Sequence, residues 1–178
     1  MPTTVKVLVT GPFSSGKTSL IQSISEIDVV STEGFAADGQ PTIAMDFGRV
    51  SIPEDDLYLY LFGTPGARRF DLRMFQNPMM QEGFLGIIFV VDSARPEMFR
   101  EARSIMHVLL MYADVPFVIA ANKQDRAGAW SHDDVGGWLL RGQTEYVPVL
   151  PCVATNPASA QLVLLELCYE VLHRMDRE

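Results

Sequence analysis

The stretch Gly11-Pro-Phe-Ser-Ser-Gly-Lys-Thr18 holds the residue types, at the spacing G-x-x-x-x-G-K-[ST], that chemistry on a polyphosphate needs. Gly11 and Gly16 let backbone N–H groups turn inward around an anion, with Phe13, Ser14 and Ser15 supplying the amides between them. Lys17 is a point charge that can reach β- and γ-phosphates, Thr18 offers an oxygen to Mg²⁺, and Ser19 follows in the first helical turn. Read blandly, the stretch is a Gly/Ser turn entering a helix. Its context argues otherwise: the β-branched run Val5 to Thr10 delivers it and the amphipathic Ser19-Leu-Ile-Gln-Ser-Ile continues it.

A second constellation, Asn122-Lys-Gln-Asp125, ends the apolar run Val115 to Ala121. A carboxylate at Asp125 can accept from both N1–H and the exocyclic amine of guanine, a donor pair that adenine lacks. The stem of Lys123 can cover the base, and Asn122 can tie this loop to the phosphate loop. Without a phosphate loop the four residues would be an ordinary Asn/Asp turn; beside one, they select GTP and GDP over ATP. Cys152-Val-Ala-Thr155 is a weaker signal, placed where a backbone N–H could meet guanine O6.

The elements that must hold these loops alternate. Strands are expected at Val5–Thr10, Ile43–Ile52, Leu57–Phe62, Leu85–Val91, Val115–Ala121 and Tyr146–Pro151, and helices at about 17–27, 96–112, 131–141 and 157–175. Pro53-Glu-Asp-Asp56 suits a turn joining an antiparallel pair, and Gly63-Thr-Pro-Gly66 stops the second of those strands. This is an α/β pattern: a P-loop NTPase domain with a mostly parallel six-stranded sheet, helices on both faces and one antiparallel edge hairpin. The loops at the strand C-terminal ends form the site. Met106, Leu109 and Leu110, and likewise Leu162, Leu165 and Val171, recur at helical spacing and read as core.

The 178 residues fit one domain, 1–178, with a substantial core. A formal net charge of −8 without a dense Lys/Arg run argues against non-specific nucleic-acid binding or an electrostatic membrane patch. Neither a membrane-length apolar stretch nor a signal sequence is evident, proline rather than glycine follows Met1, and no prenylation cysteine ends the chain, so a cytoplasmic protein is expected. Cys152 and Cys168 lie outside any metal spacing and read as small apolar thiols. His107, His132 and His173 form no ligand cluster.

With these residues in place the chain resembles the Ras superfamily of small GTPases over essentially its whole length. Gly11-Pro-Phe, Thr42-Ile-Ala-Met-Asp-Phe-Gly48 and Leu61-Phe-Gly-Thr-Pro-Gly66 are similar to a prokaryotic Ras-like group that includes the gliding-motility and conservon GTPases. The resemblance implies a Mg²⁺-dependent GTP/GDP switch with GTP hydrolysis as its reaction. Residues 30–48 would be switch I and 63–80 switch II. Phe35 would touch the guanine edge, Thr42 would bind Mg²⁺ and meet the γ-phosphate, and the Gly66 N–H would sense that phosphate. Val153 and Ala154 match the family's base-binding Ser-Ala loop with the serine missing. Lys17, Thr42 and Gly66 would then carry the phosphate chemistry, and loss of the γ-phosphate would let two loops relax.

Three departures matter. The aspartate that usually opens switch II is Gly63, the glutamine that orients the attacking water is Ala67, and Phe13 stands where Ras itself has glycine, obstructing an arginine supplied in trans. Gly63 and Ala67 should make unaided hydrolysis very slow. Asp46 could take over part of the metal's second shell, and Arg68 or Arg69 could act in cis, although such a pair is more often a solvated face. The run from Phe70 to Phe75 with Met79 and Met80 suits either packing or an apolar partner surface. Related prokaryotic GTPases pair with small roadblock-type dimers, which makes that class the first candidate effector or activator. The competing reading is a non-hydrolysing guanine-nucleotide-binding scaffold; an ATP-dependent kinase is disfavoured by Asn122 to Asp125.

Overall fold

The computed structural model describes residues 3–31, 45–64 and 83–177. Phe35, Thr42, Gly66, Ala67, Arg68, Arg69 and the Phe/Met-rich run to Met80 lie outside the described residues. The elements are β1 (Thr3–Thr10), α1 (Lys17–Ile24), β2 (Val30–Ser31), β3 (Asp46–Ile52), β4 (Leu57–Gly63), β5 (Phe84–Asp92), α2 (Phe99–Tyr112), β6 (Phe117–Asn122), α3 (His132–Leu139), β7 (Val149–Pro151) and α4 (Pro157–Met175).

The six expected strands form one sheet in the order β3-β4-β1-β5-β6-β7, and the two-residue β2 adds a rung beyond β3. β3 pairs antiparallel with β2 and β4, while β1 pairs parallel with β4 and β5, and β5-β6-β7 continue parallel. β7 is shorter than its apolar run because Pro148 has no N–H to give the ladder; its carbonyl still accepts from the Ile119 N–H at 2.9 Å. The central strands are buried on both faces. Val7, Val9, Ile88, Val90, Val118 and Ala120 point to one side and pack with Leu20 and Ile21 of α1 and Val163 and Leu167 of α4. Leu8, Ile87, Phe89, Val91, Ile119 and Ala121 point to the other, against Phe99, Met106 and Leu109 of α2 and Val135 and Leu139 of α3. Helices on both faces and a parallel centre leave the C-terminal edge of the sheet as the place where loops converge.

One expectation fails. Leu162 and Leu165 are exposed rather than core. The face of α4 that meets the sheet is Ala160, Val163, Leu164, Leu167 and Val171. The sequence carries two apolar stripes on this helix, and periodicity does not say which one is inward. Cys152 is buried and Cys168 half-buried, both free thiols; burial pushes the Cys152 thiol up to about 11, so it is inert at neutral pH.

Candidate functional site

β1 ends in the loop Gly11–Thr18, whose backbone is held in conformations most residues avoid: φ is 141° at Gly11, 60° at Ser14 and 106° at Gly16. Two of these glycines are also places of close approach. A Cβ at Gly11 would lie 2.1 Å from the Val90 carbonyl oxygen, and one at Gly16 would lie 2.2 Å from Asn122 Nδ2. The loop is thus pressed onto β5 and onto the end of β6. Gly16 caps α1 with no side-chain hydrogen bond of its own, which leaves the first-turn amides directed at whatever occupies the loop.

Lys17 is buried and its ammonium donates to the Gly11 and Pro12 carbonyls at 3.0 and 2.7 Å. Burial lowers its pKa from 10.5 to about 8, against the opposing pull of Asp46 and Glu101. A buried cation whose partners are only carbonyls is one that a polyanion would stabilise. Thr18 Oγ1 donates to Asp46 Oδ2. Ser15 Oγ is buried and has no hydrogen-bond partner among the described residues.

The β6–α3 loop is fastened to this one by side chains. Asn122 Nδ2 donates to the Ser15 carbonyl at 2.8 Å, and its Oδ1 accepts from the Ala154 N–H at 2.8 Å. One buried amide therefore joins three loops. Lys123, at φ 64°, donates to the Ser14 carbonyl at 2.9 Å and to Asp92 Oδ2 at 2.6 Å. A cavity of about 440 Å³ lies between these loops, lined by Phe13, Ser14, Gly16, Lys17, Thr18, Ser19, Thr64, Asn122, Lys123, Asp125, Arg126, Val153, Ala154 and Thr155. Gly11 and Ser15 lie behind that lining rather than in it. Phe13 stands half exposed at the mouth.

The family model for the signal recognition particle receptor beta subunit matches residues 3–139. The chain belongs to that family of small GTPases. ADP-ribosylation factor-like protein 3 of Chlamydomonas reinhardtii is 26% identical over 137 residues, spanning 75% of this chain and 71% of that protein. ADP-ribosylation factor-like protein 4D of Mus musculus is 45% identical over a local stretch of 53 residues, 28% of this chain and 26% of that protein. A Ras-like small GTPase binds guanine nucleotide, and Lys17 and Asp125 both line the cavity between these loops.

This small GTPase carries features that sequence reasoning did not single out. Asp92, buried at the end of β5 and in register with Asn122, holds Lys123 and accepts from the Ala94 N–H at 3.0 Å. An acidic residue closing a buried strand was the available signal. Thr64 is buried in the cavity wall, its N–H bonded to the Val9 carbonyl at 3.0 Å and its hydroxyl 3.1 Å from that of Thr10. The amides of Val153 and Ala154 are both engaged within the protein, by Ser159 Oγ and Asn122 Oδ1; the neighbouring Thr155 lines the cavity.

The Asn122 bridge makes a strong prediction about folding. Asn122→Ala leaves a buried carbonyl and a buried amide unpaired, each worth about 1–3 kcal/mol, so unfolding should become easier by about 2–5 kcal/mol. Urea denaturation of nucleotide-stripped protein measures it; a loss below 1 kcal/mol, about the scale of a surface substitution, would deny the bridge its role.

Proposed function

We propose that residues 1–178 form one cytoplasmic G domain that works as a Mg²⁺-dependent GTP/GDP switch with slow intrinsic hydrolysis. The observation that carries this reading is the Asn122 amide fastening the phosphate loop to the two loops on which a guanine base would rest. In this reading Gly11 to Ser19 enclose the phosphates, with Lys17 leaving the Gly11 and Pro12 carbonyls for the β- and γ-oxygens. Asp125 accepts from the base, the Lys123 stem covers it while Asp92 holds the ammonium aside, and the Thr155 N–H meets O6 next to Val153 and Ala154. Phe35, Thr42 and Gly66 act from the switches as their resemblance to the family implies. Arg68 and Arg69 are the candidate arginines in cis.

Magnesium fits the residues present. Thr18 and Asp46 offer hard oxygens, and a Mg²⁺ ion retains waters and phosphate oxygens beside few protein ligands. When bound it would neutralise the charge that develops on the phosphates. Thr18 and Thr42 would be the residues that hold it, with Asp46 beside Thr18 as a further hard oxygen donor.

Gly63 and Asp46 support one refinement. They face each other across β3 and β4, and a Cβ at Gly63 would come within 3.0 Å of Asp46 Cβ and 2.8 Å of Ile21 Cδ1. This site has room for one carboxylate, and it stands on β3. Asp46→Ala should weaken Mg²⁺ binding about 10- to 100-fold. The paired exchange Asp46→Gly with Gly63→Asp should recover most of it, while Gly63→Asp in the presence of Asp46 should destabilise the fold. The Mg²⁺ dependence of GDP release reads the first two and urea denaturation the third, and an unchanged dependence in Asp46→Ala would remove Asp46 from the metal site.

Hydrolysis is slow in this proposal because Ala67 cannot orient water, and Ala67→Gln should speed single-turnover hydrolysis by roughly tenfold or more. A wild-type rate equal to that of glutamine-bearing relatives would contradict it. The similarity of Gly11-Pro-Phe and Leu61-Phe-Gly-Thr-Pro-Gly66 to the gliding-motility and conservon group supports a roadblock-type dimer as effector or activator on switch II. The matched family is itself described as a receptor subunit, which supports action together with another chain. The alternative, a nucleotide-bound scaffold that does not hydrolyse, draws on Gly63 and Ala67 and predicts no phosphate release with any partner.

A further inference from the structure

Helix α4 is apolar on two opposite sides. The inner side packs on the sheet. The outer side carries Leu162, Leu165, Tyr169 and Leu172, each 60–61% exposed, with Met175 beyond them. Tyr169 leans on His173 one turn on, ring centroids 6.1 Å apart, so its ring is already ordered along the stripe. None of these residues lines the nucleotide cavity, and core packing gives no reason for them.

The stripe steps by three, four and three residues, the spacing of a helix-to-helix seam. That spacing reads the same from either end. Turned antiparallel about a two-fold axis, the stripe sets Leu162 beside Leu172 and Leu165 beside Tyr169, each pair occurring twice. We infer that this face of α4 is an isologous interface through which two copies of the chain associate with their α4 helices antiparallel.

Several observations favour a second copy over other occupants. Four such side chains with Met175 present roughly 500 Å² per copy, so a pair buries about 1,000 Å², the lower bound of a specific interface. A groove of about 1000 Å³ flanks the stripe at Tyr169, where Met111, Tyr112 and Tyr146 stand among Glu145, Glu166 and Glu170, giving the apolar stripe a polar rim on that side. Arg174 is paired with Asp114 at 2.5 Å and Asp176 adjoins Arg177 in the chain, so the symmetric spacing of the stripe, not charge at the helix end, sets the antiparallel direction. An anionic lipid surface is disfavoured by the net charge of −8 and by Glu166 and Glu170 beside the stripe.

Sedimentation velocity of the purified, nucleotide-loaded chain over a concentration series tests this. The expected result is a monomer–dimer equilibrium with a Kd of about 1–100 μM, as small apolar interfaces give. Leu165→Lys and Tyr169→Glu should each weaken self-association at least about tenfold, the equivalent of one well-packed contact, with thermal midpoint and nucleotide content unchanged because both sites are exposed. Mixed together, the two variants should form a heterodimer, since the antiparallel seam sets the new lysine beside the new glutamate. A wild-type chain that stays monomeric at several hundred micromolar overturns the inference, whether or not it binds phosphatidylserine vesicles. So does a mixture that fails to pair, because a parallel or unrelated interface gives no such rescue.

Discussion

Lys17→Met should abolish tight nucleotide binding, with affinity for GDP falling by about 2–4 kcal/mol or roughly 30- to 1,000-fold, while the ligand-free protein loses no stability. The two halves of this expectation have one cause. In the ligand-free protein Lys17 is a desolvated cation with a pKa of about 8 instead of 10.5. Between those values the unfolded chain binds more protons than the folded one, so the contribution of this group to stability rises with pH across that window. A bound polyphosphate reverses the balance by raising the lysine pKa again. At about pH 9 nucleotide binding should therefore take up close to one proton, and near pH 7 almost none. Calorimetry in buffers of different ionisation enthalpy measures this uptake. Equal uptake at both values, or retained affinity in Lys17→Met, would mean that this ammonium does not face the phosphates.

Asp125→Asn should exchange guanine for xanthine. In the proposed site the carboxylate would accept two hydrogen bonds from guanine, and its replacement by an amide would put a donor against the exocyclic amine. Loss of a charge-assisted pair costs about 2–4 kcal/mol, a GDP affinity lower by roughly 30- to 1,000-fold. Xanthine has a carbonyl where guanine has the amine, so the amide donor of Asn regains a partner and affinity for xanthosine diphosphate should rise correspondingly. Competition of the two diphosphates for a fluorescent nucleotide gives both constants. Because Asp125 is exposed in the cavity rim, the substitution should leave the fold intact. Unchanged preference would take Asp125 out of the base site.

Much of this molecule is legible from the chain because its signals are local. A β-branched run, two glycines, a lysine and a threonine within eighteen residues specify strand, loop and helix start together, and the buried runs before Asp92 and Asn122 can only be central strands. What escaped is what depends on neighbours distant in sequence. Asp92 matters through Lys123, 31 positions away, and the engagement of the Val153 and Ala154 amides depends on Ser159 and Asn122. The inward side of α4 was misread for a different reason: Leu162 and Leu165 fit a helical period as well as Val163 and Leu167 do, and only the sheet decides between them.

In this proposal the cavity between Lys17 and Asp125 is a guanine-nucleotide site. Its most direct measurement is the release of bound nucleotide by denaturing the purified chain, followed by titration of the stripped protein with GDP and ADP in the presence of Mg²⁺. The expected result is GDP or GTP in near-stoichiometric amount and a preference for GDP over ADP of at least about a hundredfold, as two base hydrogen bonds to a carboxylate supply. Equal affinity for the two, or binding of neither at millimolar concentration, would contradict it.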